Sequence, residues 1–466
     1  MRAEQAPRSS ASDAMPPRFH SLIAAQFLSA LADNALLVVA IALLQRTGAP
    51  DWWTPLLKFF FIVSYVALAP VVGALADAVA KPRLMRWMNG VKLVGALALG
   101  LGLHPLIAFG LIGFGAAAYA PAKYGLVTEW VGAARLVAAN AWIEVSVVGA
   151  VLLGTAAGGF LVSGVFNEGP FALALRTWAQ QLGIHASAVV APALIVVLAI
   201  YGASAGMSLR LGGGGHRIAL RSIHPLALWR EFDRDNLTLW RDDGGGRLSL
   251  AITTLFWGAA AVLQFAVLRW AIDRLGFSLA AAAYLQAAVA LGLITGAWLA
   301  GRHVRLHQAP LVLLAGPLLG LLVACNRWVD SAATAAALMV AVGLVGGLLM
   351  VPMNALLQHR GCQLLSGGRS IAVQGFNENV SVLTLLAVYA ALLWFDVAIT
   401  PLMTGFGLAI AATMALLSWR LRGSSRRARV ALKAATGTEP SCSPPDAAAP
   451  AAERVQVLSG RSNNGL

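Results

Sequence analysis

Apolar residues in this 466-residue chain run in stretches of about 20, the length that crosses a bilayer as a helix, and the short segments between them hold most of the charge. Read at that length, the pattern predicts twelve spans, near residues 20–45, 55–80, 84–103, 105–127, 137–163, 186–209, 248–271, 278–301, 309–325, 331–357, 370–394 and 398–419. The first run is longer than the core of a signal peptide, so it is expected to remain as the first span. Two polar stretches depart from the series. Residues 211–247 carry arginines, acids and the glycine clusters Gly212–Gly215 and Gly244–Gly246, which predicts a linker between two six-helix halves with a short amphipathic helix at the membrane surface. Residues 421–466 begin basic and become rich in Pro, Ala and Ser, which predicts a disordered tail near anionic lipid. The chain then divides into an N-terminal tail (1–19), a first half (20–210), the linker (211–247), a second half (248–420) and a C-terminal tail (421–466).

Composition sets the class and charge sets the orientation. Hydrophobic residues are 59% of the chain and charged residues 12%, about half the charge of a soluble domain. An even number of spans puts both termini on one side. Of the 34 Lys and Arg residues, 27 fall on that side, six on the other and one within a span, so the termini are expected to be cytoplasmic. The net charge of +14 forms no basic stripe interleaved with aromatics, and no nucleic-acid partner is expected.

Four charges lie inside the apolar runs: Asp33, Lys92, Glu144 and Glu378. A charge in hydrocarbon is costly enough to imply a use for it, so these residues predict a polar cavity at membrane depth, lined from both halves. A repeat supports this. Gly115-x5-Pro121 precedes Asn140-x3-Glu144, and Gly346-x5-Pro352 precedes Gln374-x3-Glu378 in the same order. An amide and an acid four residues apart share a helix face, and both acids fall roughly 12 Å inside their spans. Asn34 follows Asp33, and Asn377 and Asn379 flank Glu378, extending the polar set. Lys92 and Glu144 fall at similar depth in one half, which predicts either an ion pair or shared contact with a ligand. Lys123, beside Pro121, is read as a headgroup or gate residue, against snorkelling to lipid phosphate as the plainer alternative.

Between the second and third spans, Gly73-Ala-Leu-Ala-Asp77-Ala-Val-Ala-Lys81-Pro-Arg83 resembles the loop signature of the major facilitator superfamily, with Ala78 and Ala80 where a basic residue and a glycine are usual. Gly73 allows close helix approach, and Asp77 can cap a neighbouring helix or hold a base; with Arg83 they form the expected gating set. The second-half loop ending Gly301-Arg302 lacks the acid, so any latch is asymmetric. Parallel six-helix repeats around a midplane site are that superfamily's design. The expected fold is therefore an all-α polytopic membrane protein, twelve helices in two six-helix halves.

A narrower likeness runs through both halves. The segments Ala25–Leu37, Ala118–Gly125, Leu255–Ala259 and Val351–Gln358, with Ile371–Gln374 and Asn377–Asn379, are similar to the bacterial lysophospholipid transporter family. Gln264 stands where that family leads one to expect arginine. The resemblance implies a flippase-like facilitator that moves lysophospholipids, chiefly lysophosphatidylethanolamine, from the outer to the inner leaflet of the inner membrane for reacylation, with membrane lipids and a cytoplasmic-side lysophospholipid acyltransferase as partners. The substrate-binding candidates are Asp33, Asn34, Lys92, Lys123, Asn140, Glu144, Gln374, Asn377 and Glu378.

Other classes leave weaker traces. None of the eight histidines has an aspartate four or five residues beyond it, and neither a Gly-x-Ser-x-Gly elbow nor a Walker lysine is present, so no catalytic residue is expected. His303-x3-His307 has metal-like spacing without a third ligand, and Cys325, Cys362 and Cys442 share no zinc-like spacing; neither metal nor cofactor is expected. A proton-coupled exporter of drugs or small amphiphiles stays open as the alternative, because the superfamily loop applies to it equally.

Overall fold

The computed structural model describes residues 15–49, 53–181, 190–212, 224–243, 245–277 and 279–420. The predicted tail 421–466 and most of the tail 1–19 lie outside them. The first half comprises α1 (Pro17–Arg46), α2 (Trp53–Ala67), α3 (Ala69–Ala78), α4 (Lys81–Gly100), α5 (Pro105–Trp130), α6 (Leu136–Leu161), two short helices α7 (Gly164–Asn167) and α8 (Pro170–Gln181), and α9 (Val190–Leu209). The linker holds α10 (Pro225–Arg241). The second half comprises α11 (Gly246–Leu275), α12 (Leu279–His303), α13 (Ala315–Ala324) with 3-10 turns on both sides, α14 (Ala332–Leu364), α15 (Gly367–Trp394) and α16 (Ile399–Arg420).

Ten described helices are long and apolar enough to cross a membrane, and α2 with α3 forms a further span bent by 63°. Pro70 sits in the first turn of α3, where its ring and missing N–H interrupt the helical ladder. The remaining expected span is α4, whose 20 residues include Lys81, Arg83, Arg86 and Lys92; those charges keep it below the apolarity of the others. Pro121 and Pro352 lie inside α5 and α14 without ending them, since neighbouring helices support a spanning helix around a proline.

Small residues let helices approach closely. A Cβ built on Gly154 would lie 2.5 Å from the carbonyl oxygen of Leu31, and one on Gly158 would lie 2.7 Å from that of Ala35; bare backbone there lets α6 lie directly on α1.

The apolar core is shared unevenly. One cluster joins the second half to the ends of α1, α3, α4, α5 and α6 nearest the linker, including Phe19, Val72, Ala76, Leu84 and Leu126. The opposite ends of the first-half helices form a cluster of their own around Leu36, Leu57, Phe109 and Tyr201. The halves are thus joined at the end of the bundle that carries the linker, and they part toward the other end.

Candidate substrate cavity and gate

The Asn-x3-Glu and Gln-x3-Glu faces of α6 and α15 turn toward the space between the halves, and a cavity of about 320 Å³ lies there. Its polar wall is Lys123 of α5, Glu144 of α6, and Gln374, Glu378 and Asn379 of α15, with Asn354 of α14. Tyr65, Tyr124 and Trp257 supply aromatic faces. Lys123 is held in place: its Nζ donates to Gln26 Oε1 at 2.8 Å and lies 4.2 Å from the Tyr124 ring centroid. Gln374 Nε2 donates to Asn354 Oδ1 and to Glu378 Oε1, each at 2.8 Å. That leaves Gln374 Oε1 buried with no hydrogen-bond partner among the described groups. An acceptor in that state beside a carboxylate suits a ligand with N–H groups to donate.

Five of the nine candidate binding residues lie elsewhere. Asp33 and Lys92 meet each other: Lys92 Nζ donates to Asp33 Oδ2 at 2.7 Å and to Ser29 Oγ at 3.0 Å, while Tyr201 OH donates to Asp33 Oδ1 at 2.7 Å. The expected pairing of Lys92 with Glu144 is therefore replaced by Lys92 with Asp33. A depth estimated by counting residues along a helix says nothing of the direction in which a side chain leaves it. Asn34 turns back to the carbonyl of Ala30, at 2.8 Å. Asn140 exchanges two hydrogen bonds with Gln358, at 2.9 and 2.8 Å, and so ties α6 of one half to α14 of the other. Asn377 faces the linker helix, donating to Asn236 Oδ1 at 2.8 Å and accepting from Trp240 Nε1 at 3.1 Å. Gln264 is exposed and lies outside the cavity wall.

Below the cavity, at the linker end, the halves are latched. Val72 and Ala372 line the floor, and one residue further a Cβ built on Gly73 would stand 3.0 Å from the Ala372 Cβ. One turn lower, Asp77 completes the N-terminal cap of α15. Ser366 is the N-cap: its hydroxyl accepts from Arg369 N–H at 3.4 Å and donates to Asp77 Oδ2, and Gly368 N–H donates to Asp77 Oδ1 at 3.1 Å. A carboxylate at a helix N-terminus is favoured by both the free N–H groups and the helix dipole. A Cβ on Gly368 would lie 2.5 Å from Asp77 Oδ1, so this approach needs glycine.

Arg83, the third gating candidate, is exposed and has no recorded partner among the described residues. The basic residues in use are others. Lys81 pairs with Glu129 at 2.5 Å within the first half. Arg369 binds Glu231 at 2.9 Å and Asp235 at 2.6 Å on α10, and Arg360 binds Asp242 at 2.7 Å. With Phe232 and Leu239 buried against Leu250, Leu357 and Val373, and Ala69 of α3 in the same cluster, these contacts seat the expected linker helix mainly on the second half. Arg369 and Ser366 carry no sequence signal as partners of the latch, because they precede an apolar run like any other basic and cap residue.

The chain matches the family model of the Major Facilitator Superfamily over residues 19–363. It is 38% identical over 404 residues to the lysophospholipid transporter LplT of Escherichia coli O6:K15:H31, covering 86% of this chain and 96% of that protein. It belongs to the lysophospholipid transporter family of that superfamily. The LplT protein of Citrobacter koseri is similar to the same degree, with 38% identity over 86% of this chain and 95% of the relative. Among solved structures, the E. coli fucose:proton symporter FucP superposes with a TM-score of 0.65 at 13% identity, covering 87% of this chain and 98% of that one. A bacterial homologue of ferroportin in an outward-facing state superposes with a TM-score of 0.64 at 13% identity over 87% and 100% of the two chains. These likenesses establish the major facilitator transporter fold, and members of this family are multi-pass membrane transporters rather than enzymes.

Proposed function

We propose that this chain carries lysophospholipids, lysophosphatidylethanolamine first among them, from the outer to the cytoplasmic leaflet of the bacterial inner membrane by alternating access. A lysophospholipid acyltransferase on the cytoplasmic side would then restore the second acyl chain. The observation that carries this reading is the cavity between the halves, which presents a lysine and two carboxylates at membrane depth and is closed at the linker end.

The chemistry of the cargo fits that cavity. A phosphate and an amine lose hydration worth several kcal/mol each on entering hydrocarbon, whereas a single acyl chain is at home there, so only the head needs shelter. Lys123 takes the phosphate. Glu144, Glu378 and the open Gln374 Oε1 receive the ammonium, with Tyr65, Tyr124 and Trp257 offering cation–π faces. Asp33 and Lys92 neutralise each other in this state and tie α1 to α4 and, through Tyr201, to α9.

The charge count makes the linker end cytoplasmic, so the cavity faces outward here. Turning inward requires breaking the Asp77 contacts with α15 and the Asn140–Gln358 pair, both of which cross between the halves. The linker helix, bound to the second half through Arg369 and Arg360, moves with it and parts from α3 of the first half, whose Ala69 it also packs against.

The test is uptake by the purified chain in liposomes. Lysophosphatidylethanolamine added outside should reach the inner leaflet faster than in protein-free liposomes, and a cationic dye should not be moved. Dye transport without lysolipid transport would favour the exporter instead.

A further inference from the structure

The two seams between the halves close by different means at the linker end. At the α3/α15 seam a protein carboxylate, Asp77, supplies the anion. At the α6/α12 seam the corresponding loop carries Gly301-Arg302 with no acid, and the helices meet through small residues: a Cβ built on Gly301 would lie 2.5 Å from the Ala141 Cβ. Beside that contact lies a cavity of about 200 Å³, walled by Ala138, Ala141 and Trp142 of α6 and by Trp298, Gly301 and Arg302 of α12. It shares no wall residue with the central cavity.

Its chemistry is amphipathic. The base is formed by alanines, while Trp142 and Trp298 are 57% and 54% exposed. The Arg302 guanidinium sits 5.6 Å from the Trp298 ring centroid, is exposed, and pairs with no carboxylate among the described residues. Indole rings with one apolar and one wet side settle at the headgroup level of a bilayer. A guanidinium matches a phosphate with paired donors, and it is the charge that an anionic leaflet attracts. A cavity this small admits a headgroup and leaves the acyl chains along the tryptophan faces.

We infer that the groove between Trp142 and Trp298 binds the phosphodiester headgroup of an anionic diacyl phospholipid on Arg302, so that a membrane lipid bridges α6 and α12. The lipid supplies at this seam the anion that Asp77 supplies at the other. It acts as a brace and not as cargo. The inference takes its orientation from the proposed function but concerns a separate surface, and its test reads binding without transport.

The full chain is examined by native mass spectrometry after incubation with phosphatidylglycerol, phosphatidylcholine, lysophosphatidylglycerol or glycerol 1-phosphate. Wild type should retain phosphatidylglycerol over phosphatidylcholine by about five-fold, the contribution of one basic residue at an anionic lipid surface. Arg302→Gln should lose that preference and Arg302→Lys should keep most of it, with Trp298→Leu lowering retention of both lipids. Because Arg302 is exposed, these variants should elute and melt as wild type does. Equal retention by wild type and Arg302→Gln overturns the site. Displacement by glycerol 1-phosphate would reduce it to a free-phosphate site, and equal retention of lysophosphatidylglycerol would make it a cargo vestibule; either result also overturns the brace.

Discussion

Asp77 and Gly368 belong to opposite halves of the chain, yet the Gly368 backbone N–H donates to Asp77 Oδ1 across 3.1 Å. The first turn of α15 is therefore fully capped only while the halves are closed at the linker end. A helix N-terminus cannot satisfy its own first N–H groups, so opening that end exposes them to water and leaves Asp77 to find other partners. The local rule for starting a helix becomes, in this position, a term in the conformational equilibrium.

Asp77→Ala should shift the population toward the state open at the linker end. Losing a helix cap costs about 1 kcal/mol, which corresponds to roughly a five-fold change in the ratio of states. The measurement is the labelling rate of single cysteines below the cavity floor, in a background lacking Cys325, Cys362 and Cys442. Rates unchanged at equal expression would remove the latch. Gly368→Ala should act in the same direction, because its Cβ would collide with the Asp77 carboxylate.

Lys92 and Asp33 should be strongly coupled. Each is buried or nearly so, and removing one partner of such a pair leaves a charge without compensation at a cost of about 3–5 kcal/mol. Lys92→Ala and Asp33→Ala should each lower thermal stability in detergent, with the double variant more stable than the sum of the two losses implies. A cycle pairing Lys92→Ala with Glu144→Ala should instead be close to additive. Additivity in the first cycle and coupling in the second would reverse the assignment.

The reach of the sequence follows from what periodicity and depth can encode. Spans, halves and the inward face holding Glu144 and Glu378 were legible because apolar runs and the i, i+4 spacing carry that information. Asn377 was misplaced because it lies only about 100° around the helix from Glu378, enough to face α10 and not the cavity. Asn140 was read as a ligand contact, but an amide opposite another amide satisfies itself, and Gln358 is 218 residues away. The expected role of Arg83 passed to Arg369, since nothing in a loop motif says which half provides the partner. The aromatic wall at Tyr65, Tyr124 and Trp257 lay within apolar runs, where rings carry no separate signal.

Acidification should favour the state closed at the linker end. Burial pushes the Asp235 carboxyl up to about 6, opposed by Arg369 and reinforced by Glu231 and Asp77. Opening draws α3, with Asp77 and Ala69, away from α10 and lets water reach Asp235. A carboxyl raised in the closed state binds its proton more tightly there than when solvated, so closure gains as pH falls through about 6 and gains nothing well above it. This holds even though protonation weakens the ion pair with Arg369. Cysteine labelling below the cavity floor should slow between pH 7.5 and 5, with the pH dependence lost in Asp235→Asn; labelling that speeds up on acidification would contradict the sign.

The most direct measurement is protection of the central cavity by its cargo. With Asn379→Cys in the cysteine-free background, lysophosphatidylethanolamine should slow labelling by a hydrophilic maleimide several-fold, glycerophosphoethanolamine should do so weakly, and Glu378→Gln should abolish the protection. A labelling rate indifferent to lysophosphatidylethanolamine, in protein that still takes it up into liposomes, would place the cargo somewhere other than between Lys123, Glu144 and Glu378.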